Sequence, residues 1–259
     1  MYKLAVGHTV AIYLYQTVGE FLIVFTISKK ENCLVMSTKN SDTSSGWIDV
    51  SVPLREGMVV FDGENKMQIE RRFSMERGDM GNNSSVHMGV HTGTHLDAPR
   101  HGIVDGITID KMLLDVAIGP ARVIEIVDKE SIKPEELKQY NIKREERILF
   151  KTQNSQRCWQ TDTFIPDFVY ISVDAAHLLA DLGVRLVGID YLSVGGPGAT
   201  HGTFFKAGMW LLEGLNLSSI SGGYYDLICL PLKLIQVEAS PVRAVLRPIP
   251  QKVNASRPK

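Results

Sequence analysis

Four of the seven histidines lie between His87 and His101, in the run VHMGVHTGTHLDAPRH. His91, His95 and Asp97 offer two imidazoles and a carboxylate, a donor set suited to Zn²⁺ or Mn²⁺ that leaves coordination positions open for water. The competing reading is a polar loop of satisfied histidines, which is the better account of any lone histidine, but the clustering favours a metal site. His91, His95, Asp97 and His101 would share one face of an extended chain, being all odd-numbered. At ~3.3 Å per residue, however, His91 and His101 would then lie ~33 Å apart, whereas ligands of one ion sit ~2 Å from it. The segment must fold back. Gly93 and Pro99 can bend it, one by admitting positive φ and the other by fixing φ and stopping a ladder.

The surrounding pattern supplies elements to hold such a segment. Ile48 to Val52 alternates at period two and reads as a strand closed by Pro53. Ala121–Val127 and Arg147–Lys151 are further strands, separated by a polar helical stretch from Lys133 to Gln139. Ser172–Gly183 reads as an amphipathic helix, capped by Ser172 or Asp174 and stopped by Gly183. The buried-strand run Val184–Asp190 follows at once, and Leu227–Leu232 and Arg243–Leu246 add strands near the end. This β–α–β rhythm, unbroken by repeats or low-complexity linkers, predicts a single mixed α/β domain over residues 47–249, with a frayed tail at 250–259.

The 259 residues are 44% hydrophobic and 22% charged, values of an ordinary globular protein that exclude a disordered or collagen-like chain. A formal net charge of −1 leaves no field that would attract nucleic acid or an anionic membrane, so a small molecule is the expected partner. Three cysteines without C-x-x-C spacing suggest neither a disulfide framework nor a thiolate zinc site, and suit a reducing, cytoplasmic setting. Leu4 to Ile27 is apolar and long enough to span a bilayer, yet it carries His8, Gln16 and Glu20, and a central carboxylate costs ~2–3 kcal/mol on insertion scales. Residues 1–46 are therefore expected to be an extension upstream of a functional domain that begins near Trp47, with no membrane role.

Other conventional sites are missing: there is no H-E-x-x-H, G-x-S-x-G, G-x-x-x-x-G-K-[ST] or G-x-G-x-x-G. Gly195-Gly196-Pro197-Gly198 lacks the Lys-Ser/Thr of a phosphate loop and reads as a flexible turn leading to His201. The run His91-Thr92-Gly93-Thr94-His95-Leu96-Asp97-Ala98-Pro99-Arg100-His101 resembles the H-x-G-T-H-x-D-x-P-x-H signature of the cyclase family of metal-dependent hydrolases, which includes kynurenine formamidases and isatin hydrolases. The likeness extends through Ile48–Leu54, Gly188–Val194, Leu230–Lys233 and Ser240–Ala244, and so covers about residues 47–247.

The resemblance implies a swivelling β/β/α fold and one or two divalent ions, Zn or Mn, held by His91, His95 and Asp97. It implies a second position at His201 and Glu213 sharing Asp97. A continuous helix would separate His201 from Glu213 by ~18 Å, so Gly208 is expected to end a helix and let a strand return Glu213 to His201. His101 is implied to be the general acid/base rather than a ligand, and His87 a loop histidine outside the ligand set. Phe61, Phe73, Phe204, Phe205 and Trp210 could line an aromatic pocket, although such residues are more often core. The implied activity is hydrolysis of an aromatic small-molecule amide, as in conversion of N-formylkynurenine to kynurenine and formate. Opening of a cyclic amide such as isatin is the close alternative, and a non-catalytic metal-binding scaffold the alternative from another class. A homodimer or higher homo-oligomer is also implied.

Overall fold

Strands that are apolar at successive positions must be covered on both faces, and such runs form the centre of this structure. The computed structural model describes residues 2–5, 10–17, 20–27, 46–196 and 198–250. The chain divides into two units, Met1–Ser41 and Asp42–Lys259. In the first, strands Tyr2–Ala5, Val10–Thr17 and Glu20–Ile27 pair in order as a three-stranded antiparallel sheet. The described residues of the apolar N-terminal stretch thus lie in strands, and no helix among the described residues is long and apolar enough to cross a membrane.

The second unit is organised on a mixed nine-stranded sheet. Its strands are β1 (Ile48–Asp49), β2 (His95–Asp97), β3 (Ile118–Glu125), β4 (Arg147–Lys151), β5 (Leu186–Ile189), β6 (Trp210–Glu213), β7 (Gly223–Ile228), β8 (Ala239–Pro241) and β9 (Val245–Pro248). They lie side by side as β8-β2-β6-β5-β4-β3-β7-β9-β1. The four central strands β6, β5, β4 and β3 are parallel, and the flanking pairs are antiparallel. Ser51, just beyond β1, bridges Leu215, just beyond β6, so the sheet curls back on itself.

Both faces of the central strands are packed. Ala121, Val123, Leu149, Leu186 and Leu212 point into one core, while Ile124, Ile148, Phe150, Val187 and Leu211 point into the other. The second core is roofed by α1 (Val173–Asp181) and α2 (Thr200–Lys206), which contribute Ala175, Leu179, Phe204 and Phe205. α1 begins as its sequence predicts: the Ser172 hydroxyl accepts the Ala175 N–H at 3.2 Å, and Gly183 follows in the left-handed region at φ 71°.

Several boundaries differ from expectation. β4 matches its expected span, and the polar helix is Pro134–Lys138. The regular ladder of β1 stops at Asp49, because Val50 turns instead to bond Ala244 and Asn216. β3 starts at Ile118, three residues before the expected Ala121, and ends at Glu125. β7 begins at Gly223 rather than Leu227, since its partners run from Val123 to Ile118 and recruit Tyr224 and Tyr225 into the ladder. β9 likewise starts at Val245, not Arg243, and runs on to Pro248. The expected tail lies outside the described residues from 251 onward, as does Pro197 in the glycine-rich turn.

Candidate metal centre

The period-two geometry of a strand sets the first three positions. In β2, Leu96 enters the first core, so His95 and Asp97 project from the opposite face, towards α2. In β6, Leu212 and Leu211 alternate in the same way, which puts Glu213 on that face too. Register then does the rest: Glu213 stands directly opposite His95, and Leu211 opposite Asp97. His91 and His101 lie outside β2 and are brought in by bends at its two ends. Gly93 takes φ 67°, and Pro99 opens the short 3₁₀ turn Pro99–His101. Thr94 pins the first bend by accepting the Val52 N–H at 2.9 Å and donating to the Gly214 carbonyl at 2.6 Å.

His201 comes from α2. That helix ends at Lys206, Gly208 adopts φ 73°, and β6 starts at Trp210. The expected reversal is therefore present, and His201 Nε2 lies 3.2 Å from Glu213 Oε1. The glycine-rich turn has a use here. Val194 N–H donates to Glu213 Oε1 at 2.6 Å, and a Cβ on Gly195 would stand 2.7 Å from His201 Nδ1, so only glycine admits that ring.

Two sets of donor atoms converge closely enough to share a cation: His91, His95 and Asp97, and Asp97, His101 and His201. The separations fit. Asp97 Oδ1 is 2.9 Å from His91 Nδ1 and 3.5 Å from His95 Nε2, and His95 Nε2 is 3.3 Å from Glu213 Oε2. Ligands each ~2.1 Å from one ion are ~3.0 Å apart across an octahedral edge and ~3.4 Å across a tetrahedral one. These contacts are not hydrogen bonds. His95 Nε2 and both Asp97 carboxylate oxygens are buried without a hydrogen-bond partner, although Asp97 is 0% exposed. A buried carboxylate with both oxygens orphaned is costly unless a cation satisfies it. The His95 ring is already oriented for this, because its Nδ1–H donates to the Gly93 carbonyl at 2.8 Å and turns Nε2 inward.

The electrostatics agree. Burial pushes the His95 pKa down, but the Asp97 and Glu213 carboxylates outweigh it and raise it from 6.5 to about 9. Burial alone would raise Glu213, yet His201 and His95 hold its carboxyl well below the usual range. His201 is likewise desolvated, and Glu213 overrides this to raise its pKa. His101 goes the other way: burial lowers its pKa, Asp97 opposes, and the His91 and His201 rings push it further down. Its ring centroid is 4.3 Å from that of His91 and 5.8 Å from that of His201, and its surface is exposed.

The Cyclase family's sequence profile matches residues 48–195. Kynurenine formamidase from Bacillus cereus is 36% identical over 210 residues, covering 80% of this chain and 99% of its own length. This chain belongs to the cyclase family of metal-dependent hydrolases. A solved protein described as a potential metal-dependent hydrolase with cyclase activity aligns at a TM-score of 0.68 and 34% identity, over 77% of this chain and 96% of that one. Isatin hydrolase A from Labrenzia aggregata, solved with benzyl benzoate, shares the fold at a TM-score of 0.69 and 23% identity, over 79% and 94% of the respective chains.

Within this cyclase-family site the aromatic residues divide. Phe204 and Trp210 are core, and Phe205, also buried, lays its ring edge-on to His101 at 5.9 Å. Phe61 and Phe73 are exposed, and His87 is an exposed residue at the end of strand Asn83–His87. The sequence reading misses two contacts. One is the Val194 N–H on Glu213; the other is Glu238, whose Oε1 lies 3.8 Å from His91 Nε2. No local motif announces either, because both depend on pairing between distant strands.

Proposed function

We propose that the chain is a metal-dependent amidohydrolase acting on aryl formamides, with N-formylkynurenine as the substrate that best fits its relatives. The carrying observation is the convergence of His91, His95, Asp97, His201 and Glu213 around orphaned buried donor atoms. Those five residues would hold one or two divalent ions, Zn²⁺ or Mn²⁺, with Asp97 common to both positions. When bound, such an ion supplies Lewis-acid polarisation of the substrate oxygen and lowers the pKa of water from about 15.7 towards ~7.

The chain's own residues supply the remaining chemistry. His101, with its pKa lowered, is uncharged at neutral pH, so a ring nitrogen can accept a proton from the attacking water. The same nitrogen then delivers that proton to the departing aryl amine, without which the C–N bond cannot break to a neutral product. Phe205 walls this ring on its buried side, and Gly102 makes room for it, since a Cβ there would meet Phe205 at 2.6 Å.

The exposed strands Gln68–Phe73 and Asn83–His87 carry Ile69, Phe73 and Val86 into solvent, which supports a homodimer. The buried free thiols of Cys158 and Cys229 support a cytoplasmic setting. The expected extension, residues 1–46, is dispensable for the chemistry in this reading, and the separate unit Met1–Ser41 lies within it.

Assay of the as-isolated protein against N-formylkynurenine, isatin and simple aryl formamides, with elemental analysis, tests the proposal. Chelator-sensitive release of formate is expected. Preferential opening of isatin would reassign the substrate to a cyclic amide, and bound metal without turnover of any of them would reduce the protein to a scaffold.

A further inference from the structure

Resting on the metal site proposed above, we infer that Glu238 is a positioning residue for His91, fixing the ring that presents Nδ1 to the cation. His91 uses its two nitrogens differently. Nδ1 faces Asp97 Oδ1 at 2.9 Å, yet that oxygen has no hydrogen-bond donor, so the pair is off the line that a ring N–H would take. This is the arrangement of two lone pairs aimed at one point. Nε2 faces outward to Glu238 Oε1 at 3.8 Å, a gap that one water or a small side-chain rotation closes. A metal-ligating imidazole nearly always donates its other N–H to a carboxylate, carbonyl or water, which fixes the tautomer and raises ligand basicity. His95 uses the Gly93 carbonyl for this purpose. Among the described residues, Glu238 is the group placed to do it for His91.

The backbone holds Glu238 there firmly. Its carbonyl accepts the Ala98 N–H at 2.8 Å, one residue beyond Asp97, and Val237 accepts the Ile109 N–H at 3.0 Å. β8 follows immediately and pairs Ala239 with Asp97. Before it, Gln236 turns in the left-handed region at φ 64° and donates its N–H to Asp110 at 3.1 Å. The carboxylate is therefore carried by the residue that leads into the strand beside β2, while its head stays half-exposed at 39%.

Competitive chelator titration with Zn²⁺ on wild type, Glu238→Ala and Glu238→Gln tests this, together with visible absorption of the Co²⁺-loaded proteins and melting of the metal-free ones. Glu238→Ala should weaken metal binding by about 10–100-fold and shift the cobalt bands, with metal-free melting unchanged. Glu238→Gln keeps an acceptor oxygen and should lose less. Affinity and spectrum equal to wild type in Glu238→Ala would overturn the inference, even if the metal-free protein melts lower, because the carboxylate would then serve the fold alone. A wild-type chain that takes up neither Zn²⁺ nor Co²⁺ overturns the metal site itself and the inference with it.

Discussion

Glu213 stands opposite His95 across β6 and β2, and their side chains meet at 3.3 Å between Oε2 and Nε2. This single register pair joins the histidine-rich motif to the distant His201–Glu213 pair. A slip of one residue would turn Glu213 into the opposite core. The site is thus a product of sheet pairing as much as of the motif.

Asp97 is common to both donor groups and wholly buried. Asp97→Ala should abolish measurable metal binding and with it hydrolysis. Equilibrium dialysis checks this directly, and a metal-replete, active variant would refute the bridging role.

His101 sits on the exposed side of the cluster and is read as a proton carrier. His101→Ala should keep near wild-type metal content while turnover falls by roughly 10²–10⁴-fold. Loss of metal in this variant would instead make His101 a ligand, a role its closeness to Asp97 and His201 geometrically permits.

The raised His95 pKa makes an opposite prediction for the metal-free and metal-loaded forms. Its folded value of about 9 lies above an unfolded value near 6.5. Its stabilising contribution is therefore complete below about pH 6.5 and is lost as pH rises through about 9. Metal binding needs the neutral ring and so strengthens over the same interval. Melting curves from pH 6.5 to 9 should show the metal-free protein losing stability while the increment from added Zn²⁺ grows. A constant increment would detach His95 from the metal.

Two glycines with nearly equal φ separate backbone strain from overlap. Gly208, at φ 73°, has open space where a Cβ would go, so Gly208→Ala should cost about 1 kcal/mol. Gly214, at φ 71°, would drive its Cβ into the carbonyl of Gly93, the group that orients His95. Gly214→Ala should cost at least ~2–3 kcal/mol and weaken metal binding as well. Denaturant unfolding of both variants checks the contrast, and equal costs would remove the claimed backbone contact.

Local features were readable without the fold. Gly93 and Pro99 bend the motif, Ser172 caps α1, and Gly208 reverses the chain between His201 and Glu213, each through a conformational property of one residue type. The continuous apolar run of β5 similarly announced burial on both faces. What stayed hidden depends on long-range pairing. Tyr224 and Tyr225 join β7 because β3 offers partners, Val50 leaves its ladder for Ala244 and Asn216, and Glu238 reaches His91 because β8 lies beside β2. A lone glutamate far from the motif carries no periodic or spacing signal.

Metal stoichiometry and formamide hydrolysis measured on one preparation, before chelation, after it and after readdition, decide whether the hydrolysis depends on a bound ion. One or two Zn²⁺ or Mn²⁺ per chain, turnover that disappears with the metal and returns with it, and no turnover in Asp97→Ala are the expected results. Undiminished hydrolysis by protein shown to be metal-free would mean that the reaction needs no metal ion.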